Sequence, residues 1–177
     1  MLSRISTPPP AGLRSTTRTT TPNKEPWMRL EFAGAPEIMA PREEVWSRLL
    51  DPNFVAASAP GVESVEPVSP THFKVNSGIG VGPLRVSFQL DVKLSDVVPL
   101  ERLRMTALGS ASGSAIDTVS LVRLEPLANG RTRMNWEATS TISGAVASLG
   151  PRLLEGAARR LTEDFWTDFV RRVGAGR

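Results

Sequence analysis

The sequence predicts an α+β domain in which a seven-stranded antiparallel curved sheet wraps around a long C-terminal helix, with two small helices after strand 1. Three observations carry that prediction. Leu84, Val86, Phe88, Leu90, Val92 and Leu94 alternate with Arg85, Ser87, Gln89, Asp91, Lys93 and Ser95, as in a strand with one buried and one wet face. Shorter runs of the same period are separated by Gly, Pro and Asn turns. After Gly144 the period changes, and Leu149, Leu153, Ala157, Leu161, Phe165 and Phe169 recur at every fourth position.

The elements follow in order. Strand 1 starts at Met28, where Leu30 and Phe32 alternate with Arg29 and Glu31, and extends to about Ala40. Pro41 opens a helix at its first position, where a missing N–H costs nothing, and Glu43 and Glu44 suit the first turn. Val45, Trp46, Leu49 and Leu50 form the apolar face of that helix, and Asp51-Pro52 ends it. A second helical turn covers Asn53 to Ser58, and Pro60-Gly61 turns the chain out. Strands follow over 62–68, 72–81, 84–94, 101–108 and 114–124, the last with the weakest pattern. Asn129-Gly130 marks a hairpin before the seventh strand, in which Met134, Trp136, Ala138 and Ile142 alternate with polar residues. The final helix runs from Gly144 to Val173 with a bend near Gly150-Pro151. A four-residue repeat drifts by roughly 40° per step on a helix of 3.6 residues per turn, so the stripe spirals and suits a twisted sheet. One helix covering the dry face of such a sheet is a helix-grip architecture.

Composition narrows the chemistry. The chain has 177 residues, no Cys, no Tyr and one His, His72. There is no thiolate metal site, thiol nucleophile or disulfide framework, and a lone imidazole makes no metal centre. The expectation is therefore no metal, no covalent cofactor and no catalytic residue. His72 is read as a surface imidazole and Asp51 as a turn acceptor. Ser112-Gly113-Ser114 is read as a turn, since no helix start or Lys follows it. Residues 1–26 carry four basic residues against one acid, which accounts for the net +3, and the rest of the chain is balanced. No nucleic-acid-binding face is expected. Residues 1–27, rich in Pro, Thr and Arg, are read as a disordered leader, with translation from Met28 as an alternative, and residues 28–173 as the domain. A cytoplasmic location is expected, with contact to the inner face of a membrane.

Several stretches resemble the carbon monoxide dehydrogenase G-subunit family, within the START-like (polyketide cyclase, lipid-transport; SRPBCC) superfamily. They are APREEVWSRLLDP (40–52), APGVESVE (59–66), VGPLRVSFQLDVKLSD (81–96) and ISGAVASLGPRLLEGAARRL (142–161). Relatives commonly have a Cys shortly before the Pro-Gly pair, where this chain has Ser58 and Ala59. The resemblance implies a helix-grip domain with a hydrophobic cavity. It also implies an accessory role beside molybdenum-hydroxylase subunits of carbon monoxide dehydrogenase type, and a bound quinone or other lipophilic molecule.

On that architecture, Phe54, Phe88, Leu90, Met105, Met134, Trp136, Leu149, Leu153, Leu161 and Phe165 line the cavity or, alternatively, simply pack as core. Small residues at Ala107, Ala115, Ser120, Ala138, Ala157 and Ala158 leave room for a ligand. Phe54 and Val55 form the gate, with Pro60-Gly61 as its hinge. Trp166 and Val170 widen the helix's apolar arc. Two other functions remain open. One is a cyclase or aromatase on the same fold, for which inward strand positions read as too apolar. The other is a docking factor that binds no ligand.

Overall fold

Alternating apolar residues and glycine turns build one antiparallel sheet. The computed structural model describes residues 14–16, 26–111 and 113–176. The strands are β1 (Arg14–Thr16), β2 (Trp27–Gly34), β3 (Glu37–Ile38), β4 (Val62–Ser69), β5 (His72–Val81), β6 (Leu84–Val98), β7 (Arg102–Ala111), β8 (Ser114–Leu127) and β9 (Arg131–Gly144). Their order is β1-β2-β9-β8-β7-β6-β5-β4, with β3 beside β9. Seven of these strands, β2 and β4 to β9, are the seven expected, and neighbouring strands from β4 to β9 are joined by tight turns. Gly82 (φ +59°) closes β5–β6, and Asn129 and Gly130 (φ +62° and +67°) close β8–β9.

The helices are α1 (Arg42–Leu49), α2 (Pro52–Ser58) and α3 (Pro151–Ala175). Asp51 caps α2, its Oδ1 accepting the N–H groups of Asn53 at 3.0 Å and Phe54 at 3.2 Å. Pro41 precedes α1 as its extended cap residue rather than as its first helical one. Strand 1 does not run unbroken to Ala40. β2 and β3 both pair with β9, but Ala35-Pro36 interrupts them, since Pro36 has no N–H to give a ladder. Nor does the last helix begin at Gly144. That residue ends β9 with φ +83°, and a 3₁₀ turn covers Ala147–Leu149. Gly150 (φ +97°) then resets the chain before α3. Apart from β1 and the start of β2, the expected leader lies outside the described residues, as does Ser112.

The core falls into three clusters. The first joins Ile38, Val45, Trp46, Leu103, Val122, Leu124 and Met134 to Phe169 and Val173 of α3. The second joins Met28, Leu30, Val81, Phe88, Ile142 and Val146 to Leu154 and Ala157, at the N-terminal end of α3. The third, Phe73, Val75, Val92 and Ala107, lies on β5–β7. Among the described residues no helix is long and apolar enough to cross a membrane.

Candidate functional site

Strand register decides which side chains meet α3. Leu124↔Met134, Val122↔Trp136, Ser120↔Ala138, Thr118↔Ser140 and Ile116↔Ile142 pair across β8–β9, and Phe32 and Leu30 continue the row on β2. Even-numbered residues of these strands therefore face the helix. Along β9 that face is buried at Met134, half-exposed at Trp136, Ala138 and Ser140, and buried again at Ile142. Thr118, Ile116, Phe32, Leu90 and Met105 are half-exposed too. Above them on α3 lies Leu161, in step with buried Ala157 and Phe169 yet itself half-exposed and part of none of the three clusters. The sheet and helix thus close on each other at both ends and leave their middle accessible.

The middle is not uniformly apolar. The hydroxyls of Thr118 and Ser140 lie 2.7 Å apart, with buried Ser120 beside them. One hydroxyl donates to the other, which leaves one O–H free to donate to a guest oxygen. These three positions are polar exceptions on an inward face that is otherwise mostly apolar, as expected. Their signal was present in the sequence as the weak alternation of 114–124. Polar residues on an inner face blur a period-2 pattern.

The accessible middle meets the surface in a groove of about 350 Å³ between the β2 edge and α3. Phe32, Gly34 and Trp136 form its floor, and Arg159, Thr162, Glu163 and Trp166 form the helix wall. Trp136 stacks on Trp166 with centroids 5.0 Å apart, and Phe165 meets Trp166 edge-on at 4.6 Å. Gly34 is required here, because a Cβ would stand 2.7 Å from the Trp136 Nε1. Two further depressions, of about 340 and 610 Å³, lie mainly over outward-facing residues such as Glu137 and Thr139, and Ser64, Asn76 and Gln89.

The connector expected to gate the cavity sits at the α1 end. The Phe54 ring meets Phe169 edge-on at 5.6 Å, and the Arg48 guanidinium lies 4.9 Å above it. Val55 packs on the same cluster. Pro60 is half-buried. Gly61 (φ +77°) crosses β5 so closely that its carbonyl accepts the Gly78 N–H at 2.8 Å. On either side, the buried hydroxyls of Ser58 and Ser77 have no hydrogen-bond partner among the described residues.

The ten expected lining residues separate by position. Leu90, Met105, Trp136, Leu161 and Phe165 border the accessible middle. Met134 and Phe88 are buried in the first and second clusters, and Phe54 packs at the edge of the first. Leu149 lies on the 3₁₀ turn, outside α3, against the second cluster. Leu153 does not line the interior. It is 42% exposed, and its methyls lie over Gly82 at the β5–β6 turn. A four-residue repeat drifts around the helix, so that in the first turn of α3 Leu154 rather than Leu153 takes the inward position. Phe32, Trp166, Arg159 and Glu163 border the groove without having been expected as site residues.

Little reactive chemistry faces this space. His72 Nε2 lies 3.0 Å from Asp91 Oδ1, at the far end of β5–β6. The described residues contain no cluster of three His, Cys, Asp or Glu side chains that could hold a metal.

Comparison with known proteins agrees with this geometry. A family model described as the G subunit of carbon monoxide dehydrogenase (CoxG) matches residues 34–174. A conserved protein from Geobacillus kaustophilus superposes with a TM-score of 0.75 at 23% identity, covering 82% of this chain and 96% of that one. The Zhui aromatase/cyclase from Streptomyces sp. R1128 gives 0.62 at 16% identity, covering 82% and 93%. A START superfamily protein from Mycobacterium smegmatis gives 0.59 at 11% identity, covering 81% and 96%. These structural likenesses show a START-like fold. No curated protein matches the chain.

Proposed function

The chain belongs to the carbon monoxide dehydrogenase G-subunit (CoxG) family, and from that premise we propose a non-enzymatic carrier. It holds a lipophilic ligand, a quinone or a lipid, between the sheet and α3. It serves a molybdenum hydroxylase of carbon monoxide dehydrogenase type. One observation carries the proposal: on the face between sheet and α3, Leu161 and Ala138, with Thr118 and Ser140, are half-exposed and packed against neither of the two clusters that flank them, where a continuous core would have buried them. An apolar guest entering that space leaves water at a gain of about 25 cal/mol per Å² of surface buried. The Thr118–Ser140 pair supplies one directed hydrogen bond to a ligand oxygen. A quinone carbonyl fits that need. The groove at β2 gives a path in, and Phe54 on Phe169 closes the α1 end.

Native mass spectrometry of protein purified without detergent, followed by solvent extraction, tests the proposal. A stoichiometric lipophilic adduct is expected. A clean apo mass, with no change in Trp136 and Trp166 fluorescence on quinone titration, defeats it. Replacing both hydroxyls (Thr118→Val with Ser140→Ala) should weaken a carbonyl-bearing ligand by about fivefold to tenfold, the worth of one hydrogen bond. A pull-down that recovers molybdenum-hydroxylase subunits tests the partner separately.

The inner hydroxyls, with Arg159 and Glu163 on the groove wall, also favour a second reading, an enzyme of cyclase or aromatase type. Turnover of a polyketone that disappears in Glu163→Gln would establish it over the carrier.

A further inference from the structure

We propose that residues 8–13 of the leader, with Pro8, Pro9 and Pro10 at their head, dock as an extended strap on the groove between the β2 edge and α3. β1 sets the direction. It pairs antiparallel with β2, Arg14 with Glu31 and Thr16 with Arg29. Carried on one residue at a time, the same register brings Leu13 level with Phe32, Gly12 with Ala33 and Ala11 with Gly34. Residues 32–36 are the β2 side of the groove. The segment that precedes β1 is therefore led along the groove's rim. That rim is also open. β2 pairs with β9 over its whole length but with β1 only at residues 29–31, so among the described residues its outer edge is bare at 32–34.

The groove has the chemistry of a polyproline site. Proline supplies no N–H, so a ladder along β2 stops at Pro10, and its fixed φ makes polyproline II the ready conformation of the run. Such segments seat on aromatic-lined grooves at little cost in entropy. Phe32, Trp136 and Trp166 supply the aromatic faces here. The Trp136 indole lies over Gly34, at the level that Ala11 reaches. Neither indole N–H has a hydrogen-bond partner among the described residues, so both are free to donate to carbonyls of the run. A proline-rich segment of another protein would fit the same faces. Residues 8–13, however, are tethered beside them by β1, at an effective concentration on the order of millimolar that a free partner seldom matches.

The inference does not depend on the carrier proposal, since it rests on strand register and aromatic surface. The experiment is NMR of the full chain, read at the indole N–H signals of its four tryptophans. Replacing the prolines together (Pro8→Ser, Pro9→Ser and Pro10→Ser) should shift the Trp136 and Trp166 signals. It should leave the signal of Trp46, in the first core cluster, where it was, and keep the melting temperature. The chain has no Cys, so Thr7→Cys carrying a photoreactive benzophenone gives a single labelled site. The label should cross-link within one molecule to residues 159–167 of α3, and lose that cross-link when the prolines are replaced. Indole signals that ignore the proline changes overturn the proposal, as do cross-links that those changes leave intact. Cross-links formed only between molecules, and fading on dilution, overturn it in favour of a second copy of the chain.

Discussion

At Gly61 a Cβ would lie 2.3 Å from the carbonyl oxygen of Gly78, on backbone already at φ +77°. Both the conformation and the contact exclude a side chain. Gly61→Ala should therefore cost about 2 kcal/mol or more in urea unfolding. Asp91 offers a second test. Its carboxyl is held below its ordinary value near 3.8, chiefly by the His72 hydrogen bond and then by the charges of His72, Lys93 and Lys74, against some desolvation. A depressed carboxylate contributes stability above its unfolded value and loses it as pH falls through the folded one. Acid titration of Asp91→Asn should thus show a shallower fall in stability below about pH 4 than the parent chain. Single residues were unequally legible in the sequence. The turn at Pro60-Gly61 was plain, whereas the closeness of Gly78 depends on how two strands cross.

Among the elements, α3 shows best how spacing and packing divide the work. The four-residue repeat identified the helix and most of its inward face. Yet Gly150, with φ +97°, breaks the segment and leaves Leu149 outside the helix, while Leu153, inside it, falls off the edge of a stripe that drifts around the helix. Leu161 keeps its phase but lacks a packing partner in the three clusters. Leu154→Ala should accordingly cost about 2–5 kcal/mol, as a buried leucine does, and Leu161→Ala well under half of that. Leu161→Trp should fill the gap, lowering ligand uptake at least about tenfold without lowering the melting temperature of the ligand-free protein. Calorimetry on delipidated samples checks each. β8 shows the converse. Its weak alternation was a faithful record of Thr118 and Ser120 facing inward.

For the whole molecule, the proposed carrier function predicts that stability depends on ligand. A guest that binds only the folded chain adds RT ln(1 + [L]/Kd), about 2.7 kcal/mol at a hundredfold excess over Kd. Delipidation should lower the melting temperature by several degrees, and adding back the extracted lipid should restore it.

The sequence alone determined seven of the nine strands, the covering helix, the turns and the shortage of reactive groups. Each is a local property: a period of two or four, a glycine or proline, a missing residue type. Tertiary structure alone decided which inward side chains meet one another and which do not. Thr118 meets Ser140 because β8 and β9 run in that register. Trp136 reaches Trp166 because β2 presents Gly34 at the crossing. Leu153 faces water because the inward stripe drifts around α3 and Leu154 takes that place in its first turn. Spacing along a chain fixes which way a side chain points, but whether anything lies there to receive it depends on how strands and helix are placed against each other.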